Sequence, residues 1–147
     1  MQDTIREQLR RNAVALISLT VAVVSLGYNT WRNETTEAQR NTRHASFVLV
    51  EDLARLQSVA NTLVYAPERD PGAWVEGWGL VASVDTLGEL LPEPIPTAAG
   101  ALRETWEVTF EDLSAADRDR ALAADEMLGR RISATREAVV GYLRSLD

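Results

Sequence analysis

Cysteine and lysine are both absent from this 147-residue chain, and histidine occurs once, at position 44. Without cysteine there is no disulfide, no thiol nucleophile and no thiolate metal site, and the redox compartment stays open. A single histidine leaves little room for acid–base or triad chemistry built on imidazole. The loss of lysine while 15 arginines are kept is the composition of a GC-rich bacterial genome, so a bacterial source is expected. A phosphate-binding glycine loop, a GxSxG elbow, an HExxH pair and an EF-hand loop are all missing. So are Glu-x-x-His pairs, which a di-metal carboxylate bundle needs on two helices. Glu37, His44 and Glu51 would share a helix face, but steps of seven residues are about 10 Å each, too far for one ion. No metal site and no cofactor are expected, and an enzyme is the least favoured class. Strand alternation, repeats and low-complexity tracts are absent as well, which points to an all-α fold.

What the chain does have is charge asymmetry and one long apolar run. Residues 1–32 hold four arginines against Asp3 and Glu7, while the remainder holds 20 acids against 11 arginines. An acidic body repels phosphate backbones, so no nucleic-acid partner is expected. A hydrophobic fraction of 46% is enough for a packed core.

Residues 13–28 read AVALISLTVAVVSLGY, without a charge, and extension to Trp31 gives about 28 Å of helix, close to the ~30 Å hydrocarbon thickness. Arg10 and Arg11 border one end. Tyr28 and Trp31 stand where an interfacial aromatic belt would lie at the other. Ser25-Leu26-Gly27 could serve as a signal-peptidase site, yet the run is long and no turn signal follows, so an uncleaved signal anchor fits better. Arg6, Arg10, Arg11 and the amino terminus precede the span, and Arg32, Arg40 and Arg43 follow it. That balance tips toward a cytoplasmic N-terminus and a periplasmic C-terminal domain at the bacterial inner membrane. Within the span, Ala15, Ser18, Ala22 and Ser25 form a small-residue seam suited to close packing of membrane helices.

Residues 31–47, WRNETTEAQRNTRHASF, contain neither Pro nor Gly, and their charges and amides stand at helical pairing distances. A polar helical stalk over 32–46 is expected, with the core beginning at Phe47. Leu49, Leu53, Leu56, Ala60 and Leu63, widened by Phe47, Val50, Val59 and Val64, predict a helix ending near residue 66 before Pro67. Asp70 and Pro71 are a natural cap and first residue for a second helix reaching about residue 91. Trp74, Trp78, Val81, Val84, Leu87 and Leu91 fall on one side of it. Gly77 and Gly79 imply either close approach of a neighbour or an irregular helix. PEPIP (92–96) reads as an extended link. Thr97 would cap a third helix with Leu102, Trp106, Phe110 and Leu113. Ser114 and Asp117 have capping-box spacing for a last helix with Leu122, Leu128, Ile132, Val139, Leu143 and Leu146 toward the core.

The expected organisation is therefore a tail over 1–12, a transmembrane helix over 13–31, the stalk over 32–46 and an up-and-down bundle of about four helices over 47–147. Trp74, Trp78 and Trp106 could line a pocket for a small apolar or aromatic ligand, although helical spacing favours packing.

Several residues carry a resemblance: Asn33-Glu34, Arg43, Phe47, Leu53-x-x-Leu56-Gln57, Gly77-Trp78-Gly79, Leu90-Leu91-Pro92-x-Pro94 and Leu102-x-x-x-Trp106. Together they resemble a group of small single-span proteobacterial membrane proteins with a helical soluble domain and no assigned function. The resemblance implies a membrane-anchored helical protein and no catalytic residues. The architecture is also similar to helical sensing modules of chemoreceptors, but without their second span and signalling segment. The function expected is association at the membrane as a non-enzymatic accessory protein. Its partners would be the lipid bilayer and another membrane protein or a second copy. A periplasmic sensor of a small ligand near the tryptophans is the alternative.

Overall fold

The computed structural model describes residue 7, residues 12–66 and residues 71–146. Four α-helices account for most of this: α1 (Ala13–Tyr65), α2 (Pro71–Glu89), α3 (Ile95–Thr109) and α4 (Arg118–Ser145), with a 3-10 turn at Asp112–Ser114 before α4. No strand occurs among the described residues. The chain divides into two compact units, Met1–Arg40 and Asn41–Asp147. The α1 helix contributes to both, and the polar stretch 32–46 lies within it, helical throughout.

In the second unit the helices run up and down around one core. Val59 approaches Gly77, and the Ser83 hydroxyl donates to Asp52 Oδ2 at 2.6 Å, so α2 lies antiparallel on α1. Trp106 packs on Gly77 and Ala99 on Gly88, which makes α3 antiparallel to α2. The Arg118 guanidinium donates to the Val64 carbonyl at 2.7 Å, and Arg43 donates to the Leu146 carbonyl at 2.8 Å, so α4 closes the ring antiparallel to α1. Thr135 Oγ1 reaches the Ala98 carbonyl at 3.2 Å and joins α4 to α3.

The core follows the helical period. Leu49, Leu53, Leu56 and Ala60 of α1 are fully buried, as are Leu128, Ile132 and Val139 of α4. Phe47 does not open the core: it is 63% exposed, because position 47 is rotated about 160° from the Leu49–Leu53–Leu56 face at 100° per residue. Ser46 occupies the buried place instead, its hydroxyl turned back to the Thr42 carbonyl at 2.9 Å. The same rotation exposes Leu122, while Ala121 and Ala124 are buried.

Three connections differ from expectation. PEPIP is not wholly extended, since α3 begins inside it with Pro94 as N-cap and a proline in the first turn. Prolines cost nothing there, because the first-turn N–H groups have no intrahelical acceptor. Thr97 therefore sits within the helix and donates to Glu93 Oε2 at 2.9 Å rather than capping. Ser114 belongs to the 3-10 turn, and Asp117 is the cap of α4, its carboxylate accepting from the Asp119 and Arg120 amides at 3.0 and 3.4 Å. Finally, α2 ends at Glu89, and Leu91 is buried just beyond it in a tightened turn. The Asp70 cap and Pro67 lie outside the described residues.

Candidate functional site

The first candidate is the N-terminal part of α1. One helix near the N-terminus is long and apolar enough to cross a membrane, and none of its apolar window is buried. Eight aliphatic side chains between positions 14 and 26 are exposed. Each such side chain is worth about 1.5–3 kcal/mol when withdrawn from water, so this surface calls for lipid or protein around it. Its hydroxyls are compatible with that environment. Thr20 and Thr30 donate to the carbonyls of Leu16 and Leu26 at 2.9 and 3.0 Å, leaving no free donor on either side chain. Ala15, Ser18, Ala22 and Ser25 span an arc of about 80° on this helix. Tyr28 and Trp31 stack obliquely, ring centroids 6.1 Å apart. Arg10 and Arg11 lie outside the described residues.

The second candidate is the aromatic cluster between α2 and α3. Trp106 is completely buried and meets Trp78 edge-on at 6.2 Å. Phe110 receives Trp74 at 6.0 Å and Trp78 at 5.3 Å, both in edge geometry. Such pairs add about 0.5–1.5 kcal/mol beyond the area they bury. Trp74 and Trp78 are not core residues of α2, being 36% and 39% exposed. They are rotated toward α3, while Gly77 faces the Trp106 ring directly. The structure thus brings all three tryptophans together, with Phe110, the C-cap of α3, as a fourth member.

Among the described residues, two grooves lie elsewhere on the bundle. One of about 550 Å³ runs between α1 and α4 past Gln57, Asp125, Gly129, Ser133 and Glu137. Another, of about 240 Å³, lies between α1 and α2 beside Arg55, Ser58, Thr62 and Glu76. Neither is lined by a tryptophan. At the top of the first, Tyr65 donates to Asp125 Oδ2 at 3.2 Å and carries Arg118 over its ring at 4.7 Å. With the Arg118 bond to Val64, these contacts cap the C-terminal end of α1.

Four arginines of the bundle are paired with acids. Arg55 pairs with Glu51, Arg130 with Glu126, and Arg103 with both Asp85 and Glu107. Arg120 pairs with Asp112 at 2.7 Å, and that hydrogen bond, reinforced by the carboxylate charge, raises the guanidinium above its ordinary value. Exposed pairs of this kind are worth little individually and form a solvated surface. Among the described residues no group of three or more His, Asp or Glu side chains could hold a metal ion, and Glu37, His44 and Glu51 do not converge. Comparison with protein-family models, with curated proteins and with solved structures finds no match.

Proposed function

We propose that this protein is a membrane-anchored helical protein that works by association with other proteins and carries out no catalysis. In this reading residues 13–31 span the inner membrane of a bacterium, the N-terminus is cytoplasmic and the bundle is periplasmic. The observation that carries it is the apolar beginning of α1: with none of its apolar window buried, too apolar for water, and continuous with a helix whose far end is packed in a core. The ion pairs of Arg55, Arg103, Arg120 and Arg130 support it as parts of a solvated surface on the bundle.

Ala15, Ser18, Ala22 and Ser25 are the residues through which the span would meet another membrane helix, because small side chains let backbones approach closely in lipid. In a membrane-helix association assay, Ala22→Leu combined with Ser25→Leu should lower association several-fold. Association equal to that of the unmodified span would remove the seam from this reading.

A further inference from the structure

The α1 and α2 helices lie side by side in a defined register. Val59 approaches Gly77, and Ser83 donates to Asp52 at 2.6 Å. In the wedge between the two helices is the smaller groove, of about 240 Å³, lined by Arg55, Ser58, Val59, Thr62, Ala73 and Glu76. Its floor is apolar, Val59 and Ala73 being 6% and 5% exposed. Its walls are polar and opposite in sign. Arg55 and Ser58 stand on α1 and Glu76 on α2, all three exposed.

Arg55 and Glu76 line one groove without pairing. Arg55 Nη2 goes to Glu51 at 2.8 Å, and Glu76 has neither an ion pair nor a hydrogen bond among the described residues. The register gives the reason. Val59 opposite Gly77 and Asp52 opposite Ser83 place Glu76 level with residue 60 of α1. That is five residues beyond Arg55, or about 7.5 Å along the axis. The Arg55–Glu51 pair is one turn apart on one helix and open to water, so it is weak, and the guanidinium keeps further N–H donors. The Ser58 hydroxyl, between the two charges in level, makes no hydrogen bond among the described residues, whereas Thr62 turns its own onto the Ser58 carbonyl at 3.0 Å.

We infer that this groove binds a small zwitterion of the α-amino-acid class, its carboxylate on Arg55 and its ammonium on Glu76. The inference goes beyond association and does not depend on it. Charge selects the ligand. One cation and one anion, set apart on facing walls, favour a molecule that carries both signs, because an anion or a cation alone leaves one wall unanswered. Distance selects its size. Two charge-assisted hydrogen bonds of about 2.8 Å, with adjacent ammonium and carboxylate groups between them, fill a gap of about 7.5 Å. Volume agrees, since about 240 Å³ lies below the ~300 Å³ at which sites for drug-sized ligands begin. The Ser58 hydroxyl lies in the same gap and can serve either group. Val59 and Ala73 offer an apolar floor to a small aliphatic side chain, such as that of alanine or valine. The larger groove sets one arginine, Arg130, against three acids and lacks this balance.

Full-length, isotope-labelled protein in detergent micelles is titrated with alanine, valine and the other amino acids at millimolar concentration and followed by amide NMR. Signals of Ser58, Thr62 and Ala73 should shift together and saturate. N-acetylalanine, which lacks the ammonium, and alanine amide, which lacks the carboxylate, should each bind at least about tenfold more weakly, the loss expected for one hydrogen bond to a charged group. Arg55→Gln and Glu76→Gln should each weaken alanine binding by a similar factor and leave far-UV circular dichroism unchanged, because both side chains are exposed. Arg130→Gln, the same change in the larger groove, should leave binding as it was. No saturable shift with any amino acid would overturn the inference. So would binding that survives both wall substitutions, binding lost equally in Arg130→Gln, or equal binding of the blocked forms. None of these measurements needs contact between proteins, and the Ala22→Leu, Ser25→Leu pair acts in the span, so the two readings fail separately.

Discussion

Gly77 and Gly79 are two residues apart on one helix and have opposite reasons to be glycine. At Gly77 an added methyl would enter the ring of Trp106, which is fully buried and cannot swing away. Overpacking of that kind costs about 1–3 kcal/mol, against up to about 1 kcal/mol returned by the better helix former. Gly77→Ala should therefore lower the unfolding free energy, by about 1 kcal/mol net. A Cβ at Gly79 would meet nothing, so only the propensity gain operates there, and Gly79→Ala should raise stability by about 0.5–1 kcal/mol. Urea denaturation followed by far-UV circular dichroism at dilute protein would read both signs. A gain at Gly77 would mean that Trp106 has room to move, and a loss at Gly79 would mean that an unrecognised contact occupies its outer side. Neither sign can be read from the letters Gly-Trp-Gly, because the distinction depends on which indole, from another helix, lies over which glycine.

At the scale of elements, periodicity was sufficient for the helices and insufficient for their ends. The four-three spacing of Leu49, Leu53, Leu56 and Ala60 and the run Leu128, Ile132, Val139 identify the buried faces, and those residues are buried. The unbroken polar stretch without Pro or Gly was legible as helix, and α1 runs through it. Phe47 and Leu122 are apolar but stand off the buried face in angular position, so both are exposed. Starts misled because several residues near each one can cap. Pro94 and Pro96 suit an extended link and a first helical turn equally well, and burial of Ile95 decides for the helix. Ser114 and Asp117 are both good caps, and burial of Leu113 in the 3-10 turn places the start of α4 at Asp117. A substitution separates the two: Asp117→Ala should cost about 1 kcal/mol, whereas Ser114→Ala should cost a few tenths. Equal losses in thermal unfolding would return the cap to Ser114. The aromatic cluster was half legible, since the tryptophans' spacing was visible but the part taken by Phe110 depends on where α3 ends.

For the whole molecule, the governing feature is the distribution of charge about one apolar segment. The first 32 residues carry a net +2 and the rest a net −9, but orientation in a membrane responds to arginines close to the span and only weakly to acids. On that count Arg6, Arg10, Arg11 and the terminal amine stand before the span, and Arg32, Arg40 and Arg43 after it. The margin is one charge, so the orientation proposed here should be easy to upset. With a C-terminal reporter active only outside the cytoplasm, the unmodified chain should score positive, and a reporter active only inside should be silent. Replacing Arg10 and Arg11 by asparagine leaves Arg6 and the amine against three arginines. That variant should lose part of the outside signal and gain inside signal. An inside-active reporter on the unmodified chain would reverse the topology and put the acidic bundle in the cytoplasm. An orientation insensitive to Arg10 and Arg11 would mean that something other than the flanking arginines sets it. The small-residue seam would lie within the bilayer in either topology, so the physical case for it would stand, since it rests on side chains and not on the side of the membrane the bundle occupies.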